Sequence, residues 1–216
     1  MRCCVALVLS LLLVGLGVHA QTPDVQEEVQ ARLKAERDLQ EGYVSLFNGK
    51  DLSGWEYGSV PPVKNPPPRE KLEGKTQSSD GVFFVKDGIL VASGKKIKAL
   101  YTAREFNKDF RIKLEFRASA DKPKDNSGLF LRGSQLQLDA TNEKGSLTGT
   151  FRNIKKFNVG GWNEIDVTVT GTAAACLCNG EQVQKKPMKI GTTGPVGLQS
   201  EYGQFEFRHI RIKENS

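Results

Sequence analysis

Glu115 and Arg117 alternate with Ile112, Leu114 and Phe116 in the run Phe110 to Arg117, and Gln135, Gln137 and Asp139 alternate with Leu136 and Leu138. A period of two puts the apolar set on one face of a strand and the polar set on the other. In a curved sheet, carboxylates, guanidinium groups and amides on the outward face can line a groove and hydrogen-bond hydroxyl-rich molecules such as sugars. The same pattern is the ordinary wet face of an antiparallel sheet, and on alternation alone that reading is preferred.

Other reactive side chains are scarce. There are two histidines, His19 and His209, and four cysteines, at 3, 4, 176 and 178. His19 sits in a leader-like segment, so any triad in the mature chain has to use His209, and no multi-histidine metal site can be built. Around His209 the phase flips: Phe205 and Phe207 share one face, Ile210 and Ile212 the other, which predicts a bulge. With no acidic partner nearby in sequence, a structural histidine is the preferred reading. Cys176 and Cys178, two apart on one strand, read as small buried hydrophobes; a disulfide there would be strained, and a structural zinc lacks its second pair. Trp162 is expected in the core, whereas Trp55, beside a loop, fits either the core or a stacking role.

The elements that must position these groups follow from pattern. Residues 1–20 carry Arg2, an apolar run from Val5 to Val18 and Val18-His19-Ala20, the layout of a secretory signal peptide too short for a stable anchor. The expected location is secreted or periplasmic, with no integral membrane span after signal removal. Residues 21–41 form an N-terminal helical extension, with a helix over Asp24 to Gln40 and a narrow stripe of Val25, Val29 and Leu33. From Gly42 the texture changes to short alternating segments with Gly, Asn and Asp turns, including Asp87-Gly88 and Asn179-Gly180. Many short strands without an internal helix pattern predict an all-β antiparallel sandwich over 42–216. The proline-rich run Val60 to Pro68 is a surface loop, suited to a groove rim. The 38% hydrophobic and 26% charged composition is that of a globular chain, and a net charge of +6 spread along it gives no support for nucleic-acid binding.

Several segments resemble, in order, the bacterial 3-keto-disaccharide hydrolase domain family. They are Tyr43 to Trp55 (YVSLFNGKDLSGW), Asp87 to Leu90, Tyr101-Thr102, Phe110 to Arg117, Asn126 to Arg132 (NSGLFLR), Gly161-Trp162-Asn163, Gly194 to Gln199 (GPVGLQ) and Phe207 to Ile212 (FRHIRI). The resemblance implies a concanavalin-like jelly roll with a sugar-binding concave face, exported, acting on 3-keto-glycosides. A ketone at C3 acidifies the C2 proton, so the reaction needs a base near C2 and donors for the enolate oxygen. The chain departs from the family where a Glu commonly precedes a Gln by two places, since Gln135 and Gln137 stand there. Glu201 occupies the region where the family often has a histidine.

On these grounds Glu201 and then Glu115 are the candidate catalytic acids or bases. Arg132, Gln135, Gln137 and Asp139 are candidates to orient the sugar, with Arg208 beside them. The expected partner is a carbohydrate substrate or glycan. The alternatives are a non-catalytic glycan-binding module and an interaction protein whose N-terminal helix docks a partner. No cofactor is expected; calcium would need oxygen ligands, and no compact acidic loop announces them.

Overall fold

The computed structural model describes residues 23–118, 125–138 and 149–215. The leader at 1–20 and Asp139 lie outside the described residues. The chain opens with helix α1 (Pro23–Gln40). It continues through β1 (Val44–Ser45), β2 (Trp55–Gly58), β3 (Glu70–Lys71), β4 (Phe83–Lys86), β5 (Ile89–Ala92), β6 (Lys98–Thr102) and β7 (Phe110–Ala118). After these come β8 (Gly128–Leu131), β9 (Ser134–Gln137), β10 (Asn163–Thr170), β11 (Ala173–Cys178), β12 (Glu181–Gln182), β13 (Met188–Lys189), β14 (Val196–Ser200) and β15 (Phe205–Glu214).

Two antiparallel sheets form a sandwich. One runs β12-β11-β10-β7-β15-β5-β4, with β1 on β15 and β13 on β11; the other runs β3-β2-β6-β14-β8-β9. The alternation in β7 does what it predicts: Phe110, Ile112, Leu114 and Phe116 are buried between the sheets. Phe116 stacks on Phe151 and Phe205, with ring centroids 5.6 and 6.3 Å apart. The hairpins at Asp87-Gly88 and Asn179-Gly180 each place two successive residues at positive φ, 51° with 79° and 48° with 80°, the backbone of a turn that matches strand twist. On β15 the register against β7 shifts between Arg208 and Arg211, and His209 has φ 49°, so the bulge expected from the phase flip is present.

The two tryptophans divide: the alternatives left open for Trp55 resolve to the core, and the expectation for Trp162 is corrected. Trp55 is 1% exposed and its Nε1 donates to the Leu46 carbonyl at 2.8 Å, so it is a core residue. Trp162 is only half-buried, with the guanidinium of Arg208 4.0 Å and that of Arg117 4.7 Å from its ring centre. The Gly-rich run ending in Leu198-Gln199 forms the buried strand β14, central in its sheet. Gly197 makes that possible, because a Cβ there would stand 2.7 Å from Tyr101 Cδ1 and 2.8 Å from the Leu100 carbonyl oxygen. Gly197→Ala is therefore expected to cost about 1–3 kcal/mol, read as a lower urea midpoint. Cys176 and Cys178 are free and buried, and burial pushes both thiols up to about 12.

Helix α1 lies on the outer face of the larger sheet through charge rather than apolar burial. Asp38, 4% exposed, accepts from Lys113 Nζ on β7 and from Arg211 Nε on β15, the latter at 2.6 Å. Lys34 donates to Glu164 at 2.7 Å, and Glu28 accepts from Arg208 Nη1. Successive helical residues turn by 100°, so the Val25, Val29 and Leu33 stripe falls opposite the docked face and stays exposed.

Candidate functional site

The outward faces of the two sheets differ. On the smaller sheet, the register sets Tyr101, Gly197, Phe130 and Gln135 in one row across β6, β14, β8 and β9. Gln199 and Gln137 point the same way one step along β14 and β9. Half of this face is closed. Ala99, Tyr101 and Phe130 form a second apolar cluster with Val60 packed on it, Tyr101 Oη donates to the Ser59 carbonyl at 3.1 Å, and the Arg69 guanidinium sits 4.0 Å over the Tyr101 ring. The two ends of the proline-rich segment, Ser59 and Val60 on one side and Arg69 on the other, thus wall off β6.

Beyond that wall lies a chain of amides. Gln135 Nε2 donates to Gln137 Oε1 at 3.0 Å and to Gln199 Oε1 at 2.6 Å, and Gln137 Nε2 donates to Asn126 Oδ1. Gln135 on β9 reaches Gln199 on β14 only by passing over β8, and Gly128 leaves it the room: a Cβ at Gly128 would lie 2.3 Å from Gln135 Nε2.

Glu201 stands at the β14 end of this chain. The β14–β8 register, Leu198 against Leu129, extrapolates to Glu201 opposite Asn126, yet the bridge actually pairs Tyr202 with Asn126. Between Leu198 and Tyr202 this strand carries one residue more than the facing stretch from Leu129 to Asn126, an irregularity of the kind that re-aims side chains at sheet ends. Asn126 carries its amide on the outer face, and a directly opposed residue shares that face, which brings the 57% exposed Tyr202 ring to the same rim. Burial raises the Glu201 carboxyl above its usual value, and contact with Gln199 offsets this only in part.

The candidates read from the sequence therefore divide. Glu201, Gln135 and Gln137 come together. Glu115 and Arg208 do not join them; they lie on the outer face of the other sheet, beneath α1, with Arg208 Nε donating to Glu115 Oε2 at 2.7 Å. Burial alone would raise the Glu115 carboxyl, but His209 and Arg208 outweigh it and hold it low. Glu115 also supplies the acidic neighbour of His209 that local sequence lacked, with Nδ1 3.4 Å from Oε1. Arg132 is used elsewhere, at the β8–β9 turn, where its guanidinium donates to the carbonyls of Phe106 and Gly171, each at 2.9 Å, and of Lys108. The reason is general: alternation says that a residue points out of a sandwich, not out of which sheet. Gln199, Asn126 and Tyr202 are additions. Gln199 was readable from its alternation with Leu198; Tyr202 was not, because the irregularity that turns it outward leaves no mark in the sequence. Among the described residues, no group of three or more His, Cys, Asp or Glu is placed to hold a metal ion.

Residues 42–213 match the sequence model of the 3-keto-alpha-glucoside-1,2-lyase-like domain. The chain belongs to that family. Among solved structures, this family member is similar to two glycosyl hydrolases so described, without established activity, from Parabacteroides distasonis ATCC 8503. The first is 20% identical with a TM-score of 0.61, covering 84% of this chain and 97% of that one. The second is 19% identical with a TM-score of 0.51, covering 64% and 93%. At such identities the likeness establishes a shared fold. A search of curated proteins finds no relative. No helix among the described residues is long and apolar enough to cross a membrane.

Proposed function

We propose that the protein is an exported, carbohydrate-active enzyme that cleaves 3-keto-glycosides on the outer face of the smaller sheet. The observation that carries this reading is the amide chain Asn126–Gln137–Gln135–Gln199 ending beside a half-buried carboxyl, Glu201, whose proton is held more tightly than usual. The family description and the two glycosyl hydrolase neighbours support the substrate class. Glu201 removes the C2 proton, the electron pair moves into the enolate of the C3 ketone, and the amide hydrogens of Gln137 and Gln199 not used within the chain supply its donors. The C1–O bond then breaks, the leaving oxygen takes a proton, and water adds at C1 to complete hydrolysis. The rise in Glu201 suits the task, since a base with a pKa nearer the working pH is a stronger one.

The deciding experiment compares a 3-keto-disaccharide with the same disaccharide carrying a hydroxyl at C3. Release of free sugar from the keto compound alone is the expected result, because without the ketone the C2 proton is not acidic. Binding of both without release favours the second reading, a non-catalytic glycan-binding module. One observation favours that reading: Gln135, at the place where the family commonly has a glutamate, is committed to bonds with Gln137 and Gln199.

Tyr202 gives a separate expectation. Tyr101 and Phe130 are covered, so the exposed Tyr202 ring is the aromatic surface that Glu201 has beside it. Tyr202→Ala should raise KM by about 3- to 10-fold with kcat little changed, and Tyr202→Phe should retain the wild-type value. Steady-state kinetics on the three proteins checks it.

A further inference from the structure

The cleft between α1 and the larger sheet has a volume of about 230 Å³, and Glu27 and Lys34 of α1 line it opposite Trp162, Glu164 and Arg208. Arg208 is 5% exposed and its guanidinium carbon sits 4.0 Å over the centre of the Trp162 ring, with Glu115 fixing its Nε. Its two terminal nitrogens are treated unequally. Nη1 donates to Glu28, whose side chain is 57% exposed, whereas Nη2 is buried and, among the described residues, has no partner. A guanidinium fork suits two oxygens of one carboxylate, and a buried donor left unpaired costs free energy that a fitting acceptor recovers.

We propose that this cleft is a binding site for a small carboxylate-bearing ligand, of about the size of a single uronic acid, in which Glu28 of α1 holds the place of the ligand's carboxylate. The ligand carboxylate takes both Nη1 and Nη2, and Trp162 and Asn179 line the remaining volume. Exchange is charge for charge: Glu28 leaves as the ligand arrives, so the carboxylates of Glu27, Glu115 and Glu164 meet no added negative charge. Exchange is also cheap, because an ion pair with one highly exposed partner contributes little. The site is on the opposite side of the sandwich from the amide chain and does not depend on what that face does.

The chain has two tryptophans, and Trp55 is sealed in the core, so Trp162 emission reports on this cleft. Titration of the full folded protein with glucuronate, acetate and glucose should give a saturable Trp162 response to glucuronate and acetate but not to glucose. A tighter response to glucuronate than to acetate identifies an acidic sugar as the ligand; equal responses identify the carboxylate alone, and both support the site. Trp162→Phe should abolish the response. Glu28→Gln should tighten binding by about two- to five-fold, and Arg208→Lys, which keeps the charge without the fork, should weaken it. No response to either carboxylate, an equal response to glucose, or a Glu28→Gln protein that binds no tighter would overturn the proposal.

Discussion

Glu201→Gln is expected to lower the turnover of a 3-keto-disaccharide by about 10²- to 10⁴-fold, while the protein stays at least as stable as wild type at neutral pH. The two halves have one cause. Burial beside the amide chain disfavours the ionised carboxyl, so its folded value lies above its unfolded one. The folded state then binds this proton more tightly than the unfolded chain does. The resulting stabilisation is fully present below the unfolded value and is lost as pH rises through the folded value. At pH 7 the ionised group is a cost that glutamine removes, at nearly the same volume and with an amide oxygen that still accepts from Gln199. The acidic limb of the rate profile should accordingly rise through a value above that of an ordinary glutamate. Thermal melts and initial rates on the same two preparations read both halves. Equal turnover would remove Glu201 from the mechanism, and a matching loss of stability would make its role structural.

How legible was this in the sequence? The β7 alternation, the two positive-φ hairpins and the bulge at His209 are local patterns, and each is realised as read. Strand β14 is only partly marked, because Gly197 interrupts its alternation before Leu198-Gln199; the glycine is needed because Tyr101, far away in sequence, lies against the missing side chain. The site shows the same division. That Gln135, Gln137, Glu115 and Arg208 point outward follows from period two. That the first pair shares a face with Glu201 while the second lies under α1 follows from sheet order, which alternation does not encode. The charges of α1 were visible, but the partners that give them meaning, Lys113, Arg208 and Arg211, come from β7 and β15.

Those partners lead to the second large effect: Asp38→Ala is expected to release α1 from the sheet while the sandwich remains folded. If Lys113 and Arg211 stayed buried without their shared carboxylate, the loss would be about 3–5 kcal/mol. The remaining tethers cannot hold α1 against that. Lys34–Glu164 has a lysine 44% exposed and Glu28–Arg208 a glutamate 57% exposed, and such pairs contribute about 0–1 kcal/mol each. Apolar contact adds little, since Val25, Val29 and Leu33 face away and the docked side offers only the small Ala31 and Ala35, each half-buried. Lifting α1 lets water reach both cations, so the cost is capped at the price of undocking. Acid should do the same to the wild type. Burial raises Asp38, but the bonds from Lys113 and Arg211 outweigh it and leave the carboxyl below its usual value. Its contribution is therefore present above the unfolded value and is lost as pH falls through the lowered one. Asp38→Asn should show released α1 at every pH. Hydrogen exchange over residues 23–40, read beside the melting of the whole protein, separates the two events. Fast exchange in α1 with a nearly unchanged melt is expected; equal protection of α1 in Asp38→Ala and wild type would show that something other than this charge cluster holds it.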